Sequence, residues 1–109
     1  MNTDTIQGLY DVVKNRKECY EEGSYTCYLF KQGLDKILKK CGEENAEMII
    51  AAKNHDKDEL SNEMCDLIYH MLVLMVEQDV DIKDVLSILE SRRQKIGNLK
   101  TFHKVDKQS

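Results

Sequence analysis

The chain has 109 residues, 41% of them apolar and 33% charged, with no Pro and five Gly. That is room for one domain with a modest core, rich in helix formers and poor in helix breakers. Twenty acidic against sixteen basic side chains give a net charge of −4, which argues against a nucleic-acid or membrane-surface binder, and no apolar run approaches the roughly 18 residues of a membrane span.

The N-terminal stretch MNTDTIQGLYDVV lacks the basic start and apolar segment of a secretory signal, so a cytoplasmic location is expected. Ile6, Leu9, Tyr10 and Val13 recur at helical spacing and predict a first helix over 4–20. Gly23, Ser24 and Thr26 break that period in a loop, and a short helix is expected at about 26–32. A third element starts near Gly33 with the stripe Leu34, Ile37, Leu38 and Cys41; Gly42 either ends this helix or bends a longer one. A helix over about 43–53 stops at KNHDKD, where Asn54 and Asp56 suit a turn and a cap and His55 is expected to be exposed.

The next helix, about 56–77, is apolar nearly all round from Leu67 to Val76, as expected of a helix surrounded by others. A last helix at about 81–95 would bury Ile82, Val85, Leu86 and Leu89, and residues 98–109 form a polar tail. The fold class is therefore all-α: one domain spanning 1–109, a compact bundle of about five helices with its core in about 5–95. A core this small is naturally supplemented by a second subunit. Cys19, Cys27, Cys41 and Cys65 form no CxxC pair and read as buried free thiols.

Five acids fall on the two central helices: Glu43, Glu44 and Glu47, then Glu63 and Asp66. At about 100° per residue, Glu43 and Glu47 lie about 40° apart, while Glu44 and Glu47, and likewise Glu63 and Asp66, lie about 60° apart. A merely solvated face would lie opposite the apolar side. Instead Glu47 falls between Ile50 and Ala51, and Glu63 and Asp66 border Leu67. Desolvated like charges repel unless neutralised, and a divalent cation is the simplest neutraliser, all-oxygen ligands suiting Mg²⁺ or Mn²⁺. The competing account is an exposed face paired with lysines at 36, 39, 40, 53 and 57. The same Lys36, Lys39 and Lys40 would serve a polyphosphate beside a metal. There is no GxxxxGK[ST] loop to hold phosphates instead.

The pattern Glu43-Glu44-x-x-Glu47, fifteen residues, then Glu63-x-x-Asp66 resembles the EExxE…ExxD signature of the MazG-like all-α nucleoside-triphosphate pyrophosphohydrolases. The stretches GSYTCYLFKQGLDKILKKCGEENAEMIIAAKN and DELSNEMCDLIYHMLVLM are similar to the phosphoribosyl-ATP pyrophosphohydrolase family, over about residues 5–92. The resemblance implies a MazG-like bundle that forms homodimers. It implies Mg²⁺-dependent hydrolysis of 1-(5-phosphoribosyl)-ATP to the AMP derivative and pyrophosphate, the second step of histidine biosynthesis, by a stand-alone enzyme without the fused cyclohydrolase. Carried over, Glu44, Glu47, Glu63 and Asp66 would be metal ligands, and Glu43 a further ligand or the positioner of the attacking water. Either Glu43 or Glu47 could act as catalytic base.

His70, four residues after Asp66, reads as a partly buried structural side chain or a pocket residue. Tyr25 and Tyr28 read equally as pocket lining or core. Two alternatives stay open: a broad nucleotide pyrophosphatase with the same acids, and a non-catalytic dimerisation module.

Overall fold

The computed structural model describes residues 3–97 and contains five helices and no strand among them. Helix α1 spans Thr3–Glu18, α2 Tyr25–Gln32, α3 Leu34–Lys53, α4 Lys57–Glu77 and α5 Ile82–Gly97. None of these helices is long and apolar enough to cross a membrane. The expectations for residues 98–109 lie outside the described residues.

Helix α1 ends two residues earlier than its periodicity suggests, and Tyr20 beyond it is exposed. The α2 N-terminus is capped by Ser24, whose side chain accepts a hydrogen bond from the Cys27 N–H at 3.1 Å. Gly33 separates α2 from α3 at φ 96°, a conformation that essentially only glycine adopts, and its N–H closes α2 by bonding to Leu29 O.

Gly42 does not end α3: the helix runs unbroken from Leu34 to Lys53, and nothing packs within 4 Å of where a Gly42 side chain would stand. Hydrogen bonds on both sides and neighbouring strong helix formers outweigh the roughly 1 kcal/mol propensity cost of one glycine. Of the two alternatives the sequence left for Gly42, an end or a position within a longer helix, the structure has the second.

The turn from α3 to α4 is short and closed. His55, at φ 57°, donates its N–H to Ala52 O, and Asp56 donates its N–H to Ala51 O, both at 3.1 Å. This is the bond pair of a Schellman C-cap. Asp56 then caps α4, accepting from the Glu59 N–H at 3.0 Å. Helices α3 and α4 so become an antiparallel hairpin, the most extensive packing in the molecule, with α1 against α4 and α2 bridging α1 and α3.

The core gathers Val13 of α1, Leu29 of α2, Ile37 of α3 and Leu72 and Val73 of α4, all fully buried, with Tyr10, Val76 and Ile82 around them. The Tyr10 hydroxyl donates to Val80 O at 3.2 Å and ties α1 to the α4–α5 turn.

Three expectations are corrected. Leu89, placed on the buried face of α5, is 53% exposed: only Ile82 is buried and only Val85 and Leu86 lean on the core, because α5 leaves the bundle after its first turns. Residues 67–76 are not enclosed on every side, since Ile68 and Met71 are exposed in the single chain. Of the four free cysteines only Cys27 is buried; Cys41 is half-buried and Cys19 and Cys65 are exposed.

Candidate active site

The hairpin register brings the two acid groups face to face. Glu44 of α3 and Glu63 and Asp66 of α4 each place one carboxylate oxygen within 4.8 Å of the others. Asp66 stands at the exposed rim, whereas Glu44 and Glu63 are only 7% and 8% exposed. One oxygen of each buried acid, Oε1 of Glu44 and Oε1 of Glu63, has no hydrogen-bond partner. Such orphans are costly unless a cation or a proton meets them.

The electrostatics agree. The Glu63 carboxyl is pushed up from 4.5 to about 8, first by hydrogen bonding with the Glu59 carboxyl, then by its own burial and by Glu47 and Glu44. Three hard oxygen donors converging from two helices fit a hard divalent cation of the Mg²⁺ or Mn²⁺ type. No nitrogen or thiolate donor enters the trio, which disfavours the softer alternatives.

Glu47 is not in the trio. It is exposed and lines an adjoining cavity of about 330 Å³ with Glu59, Glu63, Asn54 and Asp56. Glu43 faces away toward lysines, 3.4 Å from Lys40 and 3.9 Å from Lys39. Lys40 is half-buried there: burial pulls its ammonium pKa down, but Tyr25, Glu43 and Glu44 outweigh that and hold it above the ordinary lysine value. Lys36 is one turn earlier and pairs with no carboxylate among the described residues; its ammonium lies 5.9 Å from the Tyr28 ring.

His70 is buried at 5% exposure and stands beside the acids as a strut. Its Nδ1 is 2.8 Å from Asp66 O, and since a carbonyl only accepts, Nδ1 carries the proton. In the neutral ring Nε2 is then the acceptor for the Tyr25 hydroxyl, 3.2 Å away. Thus the reading of His70 as buried and the reading of Tyr25 as a neighbour of the site meet in one hydrogen-bond chain. Tyr25 and Tyr28 are not core residues; both are about half exposed, with their rings stacked at 6.0 Å.

Glu59 was missed by sequence reasoning. At the start of α4 it passes for an ordinary first-turn acid favoured by the helix dipole, although its place four residues before Glu63 is a signal that the two share a side.

An all-α scaffold whose central hairpin carries a half-buried cluster of hard oxygen donors, with lysines further along α3, defines a class suited to phosphate chemistry. A family model described as phosphoribosyl-ATP pyrophosphohydrolase matches residues 6–93, and the chain belongs to that family. A protein of Clostridium novyi (strain NT) named phosphoribosyl-ATP pyrophosphatase is 57% identical over 99 residues, covering 91% of this chain and 90% of the relative. One of the same name from Clostridium botulinum (strain Hall) is 52% identical over 101 residues, covering 93% and 92%. The histidine biosynthesis bifunctional protein HisIE of Thermoanaerobacter pseudethanolicus is 57% identical over 84 residues, 77% of this chain and 39% of that longer protein.

Proposed function

We propose that this chain hydrolyses phosphoribosyl-ATP to phosphoribosyl-AMP and pyrophosphate, a step of histidine biosynthesis, with Mg²⁺ held by Glu44, Glu63 and Asp66 and approached by Glu47. The family membership supports the substrate. The observation that carries the site is the pair of buried, partnerless oxygens on Glu44 and Glu63. Mn²⁺ is the natural substitute for such a donor set. The bound cation supplies neutralisation of phosphate charge and a more acidic water.

The chain's own groups do the rest. Glu47, exposed in the adjoining cavity and without a lysine partner among the described residues, takes the proton from the attacking water. As the water oxygen joins phosphorus, the anhydride P–O bond breaks and pyrophosphate leaves with that electron pair. Glu43, held between Lys39 and Lys40, is the poorer base and positions the lysines instead. Lys40 and Lys39 receive phosphate oxygens, and Lys36 contacts substrate one turn further out. Tyr25, fixed by His70, forms the adjacent wall.

The active species is proposed to be a cytoplasmic homodimer. Met64, Ile68 and Met71 recur at i, i+4 and i+7 on α4 and are all exposed, which supports a second copy covering that stripe. Light scattering would show a monomer for Ile68→Glu and a dimer for wild type; a monomeric wild type sinks this part.

The function is tested by pyrophosphate release from phosphoribosyl-ATP. Glu47→Gln should lower kcat by about 100-fold or more, the usual worth of a general base, and EDTA should abolish turnover. Full activity in EDTA, or equal rates across common nucleoside triphosphates, would overturn the reading.

A further inference from the structure

We propose that Lys36 and Tyr28 together read the phosphoribosyl group that distinguishes the substrate from ATP; the inference rests on the function proposed above. Lys36, Lys40, Glu44 and Glu47 follow one another at spacings of four, four and three residues along α3, so they form one stripe of the helix. Eight residues separate Lys36 from Glu44, or about 12 Å along the axis. The stripe therefore has a cationic end and an acidic end.

Between those ends α2 contributes the stacked Tyr25 and Tyr28 rings, 6.0 Å apart and inclined by 26°. They are joined to the acid end because Tyr25 bonds His70, which bonds the carbonyl of Asp66. They reach the cationic end because the Lys36 ammonium lies 5.9 Å from the Tyr28 ring. Both rings remain about half exposed, at 45% and 42%, although burying them would be favourable.

The three lysines differ in their partners. Lys39 and Lys40 are both committed to Glu43, next to the acids where a triphosphate would lie. Lys36 has no carboxylate partner among the described residues, and its ammonium lies over the Tyr28 ring. A ligand matching this order has a polyphosphate at one end, a flat base in the middle and an isolated phosphate at the other. Phosphoribosyl-ATP has that second phosphate and ATP lacks it. Lys36 is thus assigned to the distal phosphate and Tyr28 to the flanking ribose or purine face.

The test compares phosphoribosyl-ATP with ATP as substrates, and phosphoribosyl-AMP with AMP as Mg²⁺-free ligands in calorimetry. For Lys36→Met, KM for phosphoribosyl-ATP should rise by about tenfold and phosphoribosyl-AMP should bind about tenfold more weakly, the loss of one charge-assisted contact. Under the same substitution kcat, and the affinities for ATP and AMP, should stay within about twofold. Lys36→Arg should restore phosphoribosyl-AMP binding. Tyr28→Leu should weaken phosphoribosyl-AMP more than AMP, and circular dichroism checks that each variant folds. Equal losses on both members of each pair, or no loss at all, would overturn the assignment while leaving the function intact. A wild-type protein that releases no pyrophosphate from phosphoribosyl-ATP would overturn the function itself and this inference with it.

Discussion

Glu59 stands one turn before Glu63 on α4 and raises the proton affinity of Glu63 more than any other neighbour does. A carboxyl crowded by like charges is costly to ionise, so in the metal-free protein Glu63 keeps its proton well above the ordinary carboxylate range.

The first consequence is a pH dependence of stability. Because the folded-state pKa of Glu63 is raised from 4.5 to about 8, the folded protein binds more protons than the unfolded chain between those values, and stability falls as pH rises through that window. In EDTA the melting temperature should be higher at pH 5.5 than at pH 8.5, and Glu63→Gln should flatten the difference. A melting temperature that climbs over this range in wild type, with no flattening in the variant, contradicts the raised proton affinity of Glu63.

Cation loading should expel that proton. Glu59→Gln removes the largest contributor to the shift, so Mg²⁺ binding near neutral pH should become less pH-dependent and release fewer protons. Calorimetry in two buffers of different ionisation enthalpy counts the protons directly. An unchanged count places Glu59 outside the cluster.

Asp66, exposed at the rim, separates stability from binding. Asp66→Asn should leave the metal-free fold as stable as wild type or slightly more so, by relieving repulsion, while abolishing the Mg²⁺-induced rise in melting temperature that ligation produces. A marked loss of stability in EDTA would instead give Asp66 a structural salt-bridge role.

Gly42 is a backbone prediction independent of chemistry. It lies inside α3 with helical neighbours and open space where a methyl group would go. Gly42→Ala should therefore stabilise the protein by about 1 kcal/mol, the difference in helix propensity and unfolded-chain entropy. Chemical denaturation measures it, and a destabilised variant would mean that a kink is needed there.

The sequence made much of this legible where a physical period was at work. The α4 run and the stripe of Ile37 revealed helices; Glu63 and Asp66 stood out because they border Leu67, whereas Glu44 was singled out only through the resemblance to the family signature. Leu89 misled because periodicity marks a face without saying whether a neighbour reaches it. Glu47 sat on the right helix, but whether it belongs to the trio or to the cavity beside it depends on the hairpin register, which no spacing within one helix contains. Glu59 was hidden for a different reason: a first-turn acid has a sufficient local explanation. The strut from Asp66 through His70 to Tyr25 joins residues 45 positions apart at its outer bond, beyond any local pattern.

The left-handed His55 turn has a thermodynamic meaning for the cluster. Only residues 54–56 lie between the two acid-bearing helices, so Glu44 and Glu63 meet at a high effective concentration whether or not a cation is present. The docking entropy has already been met by folding. In a circular permutant opened at His55, part of every binding event would have to drive the two helices together, and cation affinity would become a measure of hairpin closure as much as of coordination.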